Sequence, residues 1–343
     1  MTLQEIIGFE LPIIQAPLAG WQGSELAIAV CNAGGLGSLP CALLSADVMR
    51  AELARIRAET TKPCNVNFFC HEPPAVDGAR DAAWRELLAP YFEEFGVDLN
   101  EPAMGPSRAP FSAGAADVLE SFKPAVVSFH FGLPPRELLQ RVKTWGSKVW
   151  SSATTVAEAL WLERQGADAI IAQGFEAGGH RGLFLSEDLT TQVGTFALLP
   201  QIARAVRVPV IAAGGIADAK SVAAALSLGA AAVQLGTAYL LCPEATTSQV
   251  HRAALKSARA AHTALTNLFS GRPARGIVNR LMTELGPINA AAPSFPLAAV
   301  ALASLRKKAE SLGIDDFSPL WCGQNASGCR EIPAAALTRA LAS

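Results

Sequence analysis

Two glycine-bearing turns and one histidine are where the types and spacing of residues in this chain promise chemistry. Ala212-Ala213-Gly214-Gly215-Ile216 and Gln234-Leu235-Gly236-Thr237 each end an apolar run in glycine. Turns of this kind can point backbone N–H groups at a phosphate, because glycine lets the main chain approach an anion closely. Asp218 stands just beyond the first turn as an N-cap. The same glycines would also serve a plain tight turn; two such turns in one repeating chain favour the phosphate. No GxGxxG follows an apolar run, so a dinucleotide fold has no support.

A third stretch, Gln173-Gly174-Phe175-Glu176-Ala177-Gly178-Gly179-His180-Arg181-Gly182, holds four glycines in ten residues. Its backbone can lie against a flat ring, with Gln173 free to hydrogen-bond one; the alternative is a mobile surface loop with His180 exposed. Ala16, Pro17 and Leu18 lack bulk where a ring could rest, and Asn67 offers an amide at a strand end. His130 sits between Phe129 and Phe131. Partial desolvation there favours the neutral imidazole and suits a general base near pH 7, while the plainer reading is a buried, hydrogen-bonded histidine. No histidine or cysteine spacing matches a zinc site, so no metal is expected. His251 and His262 read as helix-surface residues.

The elements that must position these groups are short apolar runs bounded by Gly or Pro. They are 13–17, 36–40, 64–69, 125–131, 148–152, 169–173, 208–213 and 232–236. Nearly continuous apolar runs are the mark of parallel strands buried on both faces. Helix candidates lie between them at 24–33, 46–59, 135–145, 156–165, 196–206 and 219–228, with Ser45, Thr155 and Asp218 as N-caps. Eightfold alternation predicts an α/β fold, a (β/α)8 TIM barrel with a mainly helical cap. Residues 1–242 read as the barrel, with a Pro-rich, charged excursion at about 71–114. Residues 243–316 read as a substrate-side cap, and 317–343 as a segment returning to the barrel.

With 343 residues, half of them hydrophobic, the chain can bury a large closed core. A net charge of −2 gives no reason to expect nucleic acid or an anionic membrane as partner. The N-terminal stretch lacks the pattern of a signal peptide, and no apolar segment reaches a membrane span. Seven scattered cysteines without Cys-x-x-Cys fit buried thiols in a cytoplasmic protein, monomeric or homodimeric.

Taken together, IIQAPLAG (13–20), NAGGLGS (32–38), NVNFFCHEP (65–73), SFHFGLPP (128–135), AQGFEAGGHRG (172–182), AAGGIAD (212–218), QLGTAYLLCPE (234–244), SGRPARG (270–276) and WCGQ (321–324) resemble the class I nitronate monooxygenases. The resemblance spans most of the chain in the family's order. It implies FMN as cofactor, O2 and an anionic nitronate or nitroalkane as reactants, and nitrite with a carbonyl compound as products. It also implies flavin contacts at Asn67, Gln173, Gly178, Gly215, Gln234, Leu235, Gly236 and Thr237, with His130 as base; Gly179 and Gly214, beside two of them, are further candidates for the cofactor site.

The cap departs from the family pattern. Two tyrosines and a lysine that face the substrate in well-matched members fall on Phe295, Ala299 and Ala303. Their spacing of four puts them on one helical face, with Arg306 as a replacement cation. An apolar wall there predicts a preference for uncharged alkyl nitronates. The alternatives are an enoyl-thioester reductase that takes electrons from NAD(P)H and a flavin-binding protein without turnover.

Overall fold

The computed structural model describes residues 2–75, 77–99 and 108–343; residues 76 and 100–107 of the excursion lie outside the described residues. Eight parallel strands form one sheet: β1 (Ile13–Gln15), β2 (Ser38–Pro40), β3 (Asn65–Phe69), β4 (Val126–His130), β5 (Lys148–Ala153), β6 (Ala169–Gln173), β8 (Val210–Ala213) and β9 (Ala232–Leu235). A two-residue strand, β7 (Gly179–His180), interrupts the numbering and lies elsewhere. The sheet closes where Gln15 N donates to the Leu36 carbonyl and Leu36 N to that of Ile13, both at 2.9 Å. The fold is a TIM barrel, and every apolar run singled out in the sequence contributes one of its strands.

Its helices follow the same reading. Ser24–Asn32, Ala46–Glu59, Arg136–Thr144, Val156–Gln165, Thr195–Ala205 and Ala219–Ser227 all lie within about a residue of expectation. Ser45, Thr155 and Asp218 each accept a hydrogen bond from a first-turn N–H. Such caps satisfy donors that a helix start leaves open. Inside the barrel pack Ile14, Leu36, Trp150, Ile171 and Ile211; a second layer with Leu26, Leu199, Val222 and Leu337 joins strands to helices.

Sheet register sets the site. Gln173 is level with Ala213, Ala213 with Gln234, and Gln15 with Leu235. The parallel strands therefore release their following loops at one rim, and both glycine turns open side by side.

Two regions differ from the sequence reading. The excursion carries a 17-residue helix, Gly78–Glu94, started by the Asp77 side chain. Its Trp84, Leu88, Tyr91 and Phe92 share a core with Phe317, Leu305 and Trp321 of the cap side. The cap also holds two antiparallel strands, β10 (Thr263–Thr266) and β11 (Ala274–Ile277). β7 adds to β11, so the glycine-rich loop after β6 is the first strand of the cap's sheet. Among the described residues no helix is long and apolar enough to cross a membrane.

Candidate active site

An open cavity occupies the carboxyl ends of the barrel strands. Ala16, Pro17, Leu18, Asn67, Gln173, Gly178, Gly179, Gly214, Gly215, Gln234, Leu235, Gly236 and Thr237 line it, as do His130 and His180. Gly214 and Gly215 hold φ of 117° and 72°, a region that a side chain strains. The backbone N–H groups of Gly215, Ile216 and Gly236 have no partner among the described residues. Gln234 Oε1 is buried without a hydrogen bond. An acceptor left so costs about 1–3 kcal/mol, which a ligand's donor would recover.

Sequence reasoning missed the strap that braces these turns. Gly323 N donates to Thr237 Oγ1 at 3.0 Å, and Asn325 Nδ2 to the Gly215 carbonyl at 3.0 Å. A methyl group at Gly178 would stand 2.6 Å from Gly323 N, so this crossing needs glycine there. The signal was present in WCGQ, whose glycine is the one that lies here.

Buried arginines hold the loop after β6. Arg181 donates to the carbonyls of Gly174 at 2.6 Å and Gln173 at 2.9 Å. Arg275 donates to Phe175 O at 3.1 Å. Gln173 lines the cavity with part of its amide committed to its own loop. Its Nε2 donates to the His180 carbonyl at 2.9 Å, and its Oε1 accepts from Gly182 N at 2.7 Å. Strand β6 thus ends by gripping its own loop.

The two histidines of the cavity differ in what their nitrogens are doing. His130 Nδ1 lies 3.0 Å from Ser152 Oγ, and Nε2 lies 3.1 Å from the His180 carbonyl oxygen. A carbonyl only accepts, so Nε2 carries the proton and Nδ1 accepts from the Ser152 hydroxyl. Burial pushes this imidazole down to about 3, and Arg272 pushes the same way against the opposing hydrogen bond to His180. His130 is therefore neutral at pH 7, with both ring nitrogens engaged.

His180 Nε2 lies 2.9 Å from Ser270 Oγ, whose hydroxyl donates to the Arg272 carbonyl at 3.3 Å. Nε2 again carries the proton, and Nδ1 keeps a lone pair with no partner among the described residues. Burial first, then the charge of Arg108, holds His180 well below the ordinary histidine value.

The cap positions fall differently from expectation. Phe295, Ala299, Ala303 and Arg306 are not among the cavity's lining residues. Phe295 backs the wall, with ring centroids 4.8 Å from His71 and 5.3 Å from His180. It precedes Pro296, which disfavours helix at the residue before it, and helix begins only at Ala298. A second helix starts at Ala303, so the three positions do not share one straight helical face. Arg306 Nε is 2.7 Å from Glu310 Oε1. The cation that does line the cavity is Arg108, from the excursion.

His251 is also not a surface residue. It is buried, with Nε2 3.1 Å from the Trp321 carbonyl. All seven cysteines are free thiols, and no group of three or more potential metal ligands occurs among the described residues.

A profile of the nitronate monooxygenase family matches residues 1–343. A nitronate monooxygenase from Pseudomonas aeruginosa is 44% identical, over 98% of this chain and 96% of its own. One from Paraburkholderia phytofirmans is 43% identical, over 99% and 93%. The crystal structure of a nitroalkane oxidase from Streptomyces ansochromogenes superposes with a TM-score of 0.90 at 40% identity, covering 99% of this chain and 96% of that one.

Proposed function

The chain belongs to the nitronate monooxygenase family of oxidoreductases, and on that premise we propose that it oxidises alkyl nitronates with O2, using FMN and releasing nitrite and a carbonyl compound. One observation carries the reading: the cavity is divided between a cradle of unpaired backbone donors and a wall bearing His180 with a free nitrogen.

The residues fit the flavin. Open N–H groups at Gly215, Ile216 and Gly236 suit its phosphate, and the orphaned Gln234 Oε1 suits a ring N–H. Ala16, Pro17 and Leu18 would flank the ring, with Asn67 at its edge. FMN would supply the electron-accepting chemistry; the chain supplies position, charge and protection from water.

On the facing side, the charges of Arg272 and Arg108 disfavour protonation of His180 and favour an anion beside it. A nitronate is such an anion. For a neutral nitroalkane, His180 Nδ1 is the available proton acceptor. His130 holds the His180 main chain through its carbonyl and orients Ser152, also on the cavity wall.

Denaturing the purified protein and identifying the released flavin, then following nitrite and O2 with ethyl nitronate, tests the proposal. FMN and stoichiometric nitrite are the expected results. Released FAD, or anaerobic reduction by NADH in place of any nitronate turnover, would overturn it.

A further inference from the structure

Two serine–histidine pairs stand at the cavity, and they run in opposite directions. Ser152 Oγ lies 3.0 Å from His130 Nδ1, while Nε2 of the same ring gives its proton to the His180 carbonyl, so this serine donates to its histidine. Ser270 Oγ lies 2.9 Å from His180 Nε2, but its own proton has an outlet in the Arg272 carbonyl at 3.3 Å, so this serine accepts. A hydroxyl carries one proton and two lone pairs, which allows either role. His130 thereby spends both nitrogens. His180 spends one.

Ser270 is built to hold that arrangement. It is fully buried, and the turn that carries it also carries the main chain of His180. Arg181 N donates to the Pro273 carbonyl at 2.9 Å, and His180 is level with Ala274 where β7 pairs with β11. Gly271 shapes the turn: its φ is 87°, and a methyl group there would collide with the Pro293 carbonyl. Arg272, whose carbonyl takes the Ser270 proton, is itself anchored. Its guanidinium lies 4.1 Å from the centre of the Phe131 ring and donates to the Leu183 carbonyl at 2.5 Å. One short turn of the cap thus fixes His180 in backbone and in ring.

The other neighbours of the ring do not set its protonation pattern. Phe295 and Trp321 meet it edge to face, with centroids 5.3 and 5.5 Å away. Such contacts hold the plane of an imidazole and leave open which nitrogen bears the proton. A neutral imidazole has one N–H and one lone pair, and the hydrogen bond made by one nitrogen decides the state of the other.

Resting on the function proposed above, we infer that Ser270 is a positioning residue of this site: by accepting the Nε2 proton of His180 it keeps a lone pair on Nδ1, the nitrogen left for the substrate. In the proton-transfer step the α-proton of a neutral nitroalkane passes to Nδ1, and the C–H electron pair stays behind in the nitronate. Nε2 keeps its proton on Ser270 throughout, and the serine hydroxyl gives up nothing. Without that hydroxyl the Nε2–H is left without its acceptor, and the tautomer protonated on Nδ1 gains in population. That form has no lone pair to offer at Nδ1.

The test uses the flavin-loaded protein with isotope-labelled histidine, in wild type and Ser270→Ala, read by nitrogen NMR near neutral pH. The His180 signals are those lost in His180→Asn. Wild type should show His180 protonated on Nε2, and Ser270→Ala should move a measurable share to the other tautomer. In Ser270→Ala kcat/KM for nitroethane should fall about 10- to 100-fold, mostly through kcat, as for the loss of a buried hydrogen-bonding partner. Preformed ethyl nitronate has no proton to lose and should fall by less than about threefold.

A wild-type His180 with its proton on Nδ1 would overturn the inference, as would nitroethane turnover that ignores the substitution. Equal losses on both substrates with an unmoved tautomer would mark a purely structural role and overturn it too. The spectra need no turnover, so they separate Ser270 from the oxidase reading. A tautomer shift in Ser270→Ala, in a protein that oxidises neither substrate, would support Ser270 and refute the oxidase.

Discussion

The turns after β8 and β9 offer a ligand backbone N–H groups, while the wall across the cavity offers side chains from distant stretches: His180, Arg108 and, behind them, Phe295 and Arg272. The turns inherit their shape from sheet register, which levels Gln173, Ala213 and Gln234. The wall has no such template. Its members come from the loop after β6, the excursion and the cap. A backbone cradle tolerates few substitutions because its chemistry lies in its conformation. A side-chain wall can exchange residues one at a time and so change what it accepts.

The comparison breaks most visibly at Gly215. A β-branched residue at φ 72° is strained, and Gly215→Val should displace the turn. Flavin retention should drop at least 100-fold, read as flavin-to-protein ratio after gel filtration, whereas His180→Asn on the wall should keep full flavin. That loss corresponds to about 2.8 kcal/mol. A yellow Gly215→Val protein would show that the turn is not held by its conformation.

The next effect lies on the wall. His180→Asn should slow turnover of a neutral nitroalkane by about 10²–10⁴-fold and spare the preformed nitronate, because only the former must lose a proton. His130→Asn should cost about tenfold on both substrates, since it removes a positioning contact of the order of one hydrogen bond. If the two variants exchange these patterns, the free lone pair is on the wrong histidine.

The next effect is read in stability, not in turnover, and is shared by the whole fold. His71 and His251 are held at about 4 and His130 at about 3, each by burial first. In the unfolded chain they take up protons near 6.5. Between those values the unfolded state binds more protons, so stability falls as pH drops from 6.5 towards 4. The slope is about 1.4 kcal/mol per pH unit for each histidine, and these groups contribute no slope above 6.5. Denaturant melts from pH 8 to 4.5 should show this, and His251→Gln should flatten the slope by one histidine's share.

Smallest of all is Arg306→Ala. Its i,i+4 pair with the partly exposed Glu310 is worth a few tenths of a kcal/mol, about 0.3–0.5. Nitronates with and without a carboxylate should react within about twofold of wild type, by kcat/KM. A collapse confined to the carboxylated ones would show that Arg306 faces the substrate.

The barrel and its cradle were legible because their signals are local. Apolar runs, N-caps such as Ser45 and Asp218, and glycines at strand ends state their roles within a few residues of themselves. The wall was not legible, for reasons that can be traced. Arg108 sits in an irregular stretch where no periodicity tells inside from outside. Phe295, Ala299 and Ala303 keep a spacing of four, but that spacing faces one way only if one helix runs through all three, and Pro296 and the junction at Leu302 prevent it. Strands β10 and β11 have four residues each and alternate too briefly to be told from loop. For His130, position was readable but the partners of its ring nitrogens were not, since Ser152 and the His180 carbonyl arrive from other strands.

The strap formed by Gly323 and Asn325 has a bearing on how the protein is made. It braces Thr237 and Gly215, while Ala16 and Leu18, on the same cavity, follow directly on the first strand. That strand has its ladder partner in β9, more than two hundred residues later. During synthesis the opening strand must therefore wait on the ribosome with an unpaired edge until most of the barrel has emerged. The ligand cradle is braced later still, when residues 323–325 appear. Pairings so distant in sequence are intrinsically slow to form. A nascent chain should thus fold its middle strands first and gain a braced cradle only near the end of translation, so that loading is a closing event of biogenesis and not its nucleus.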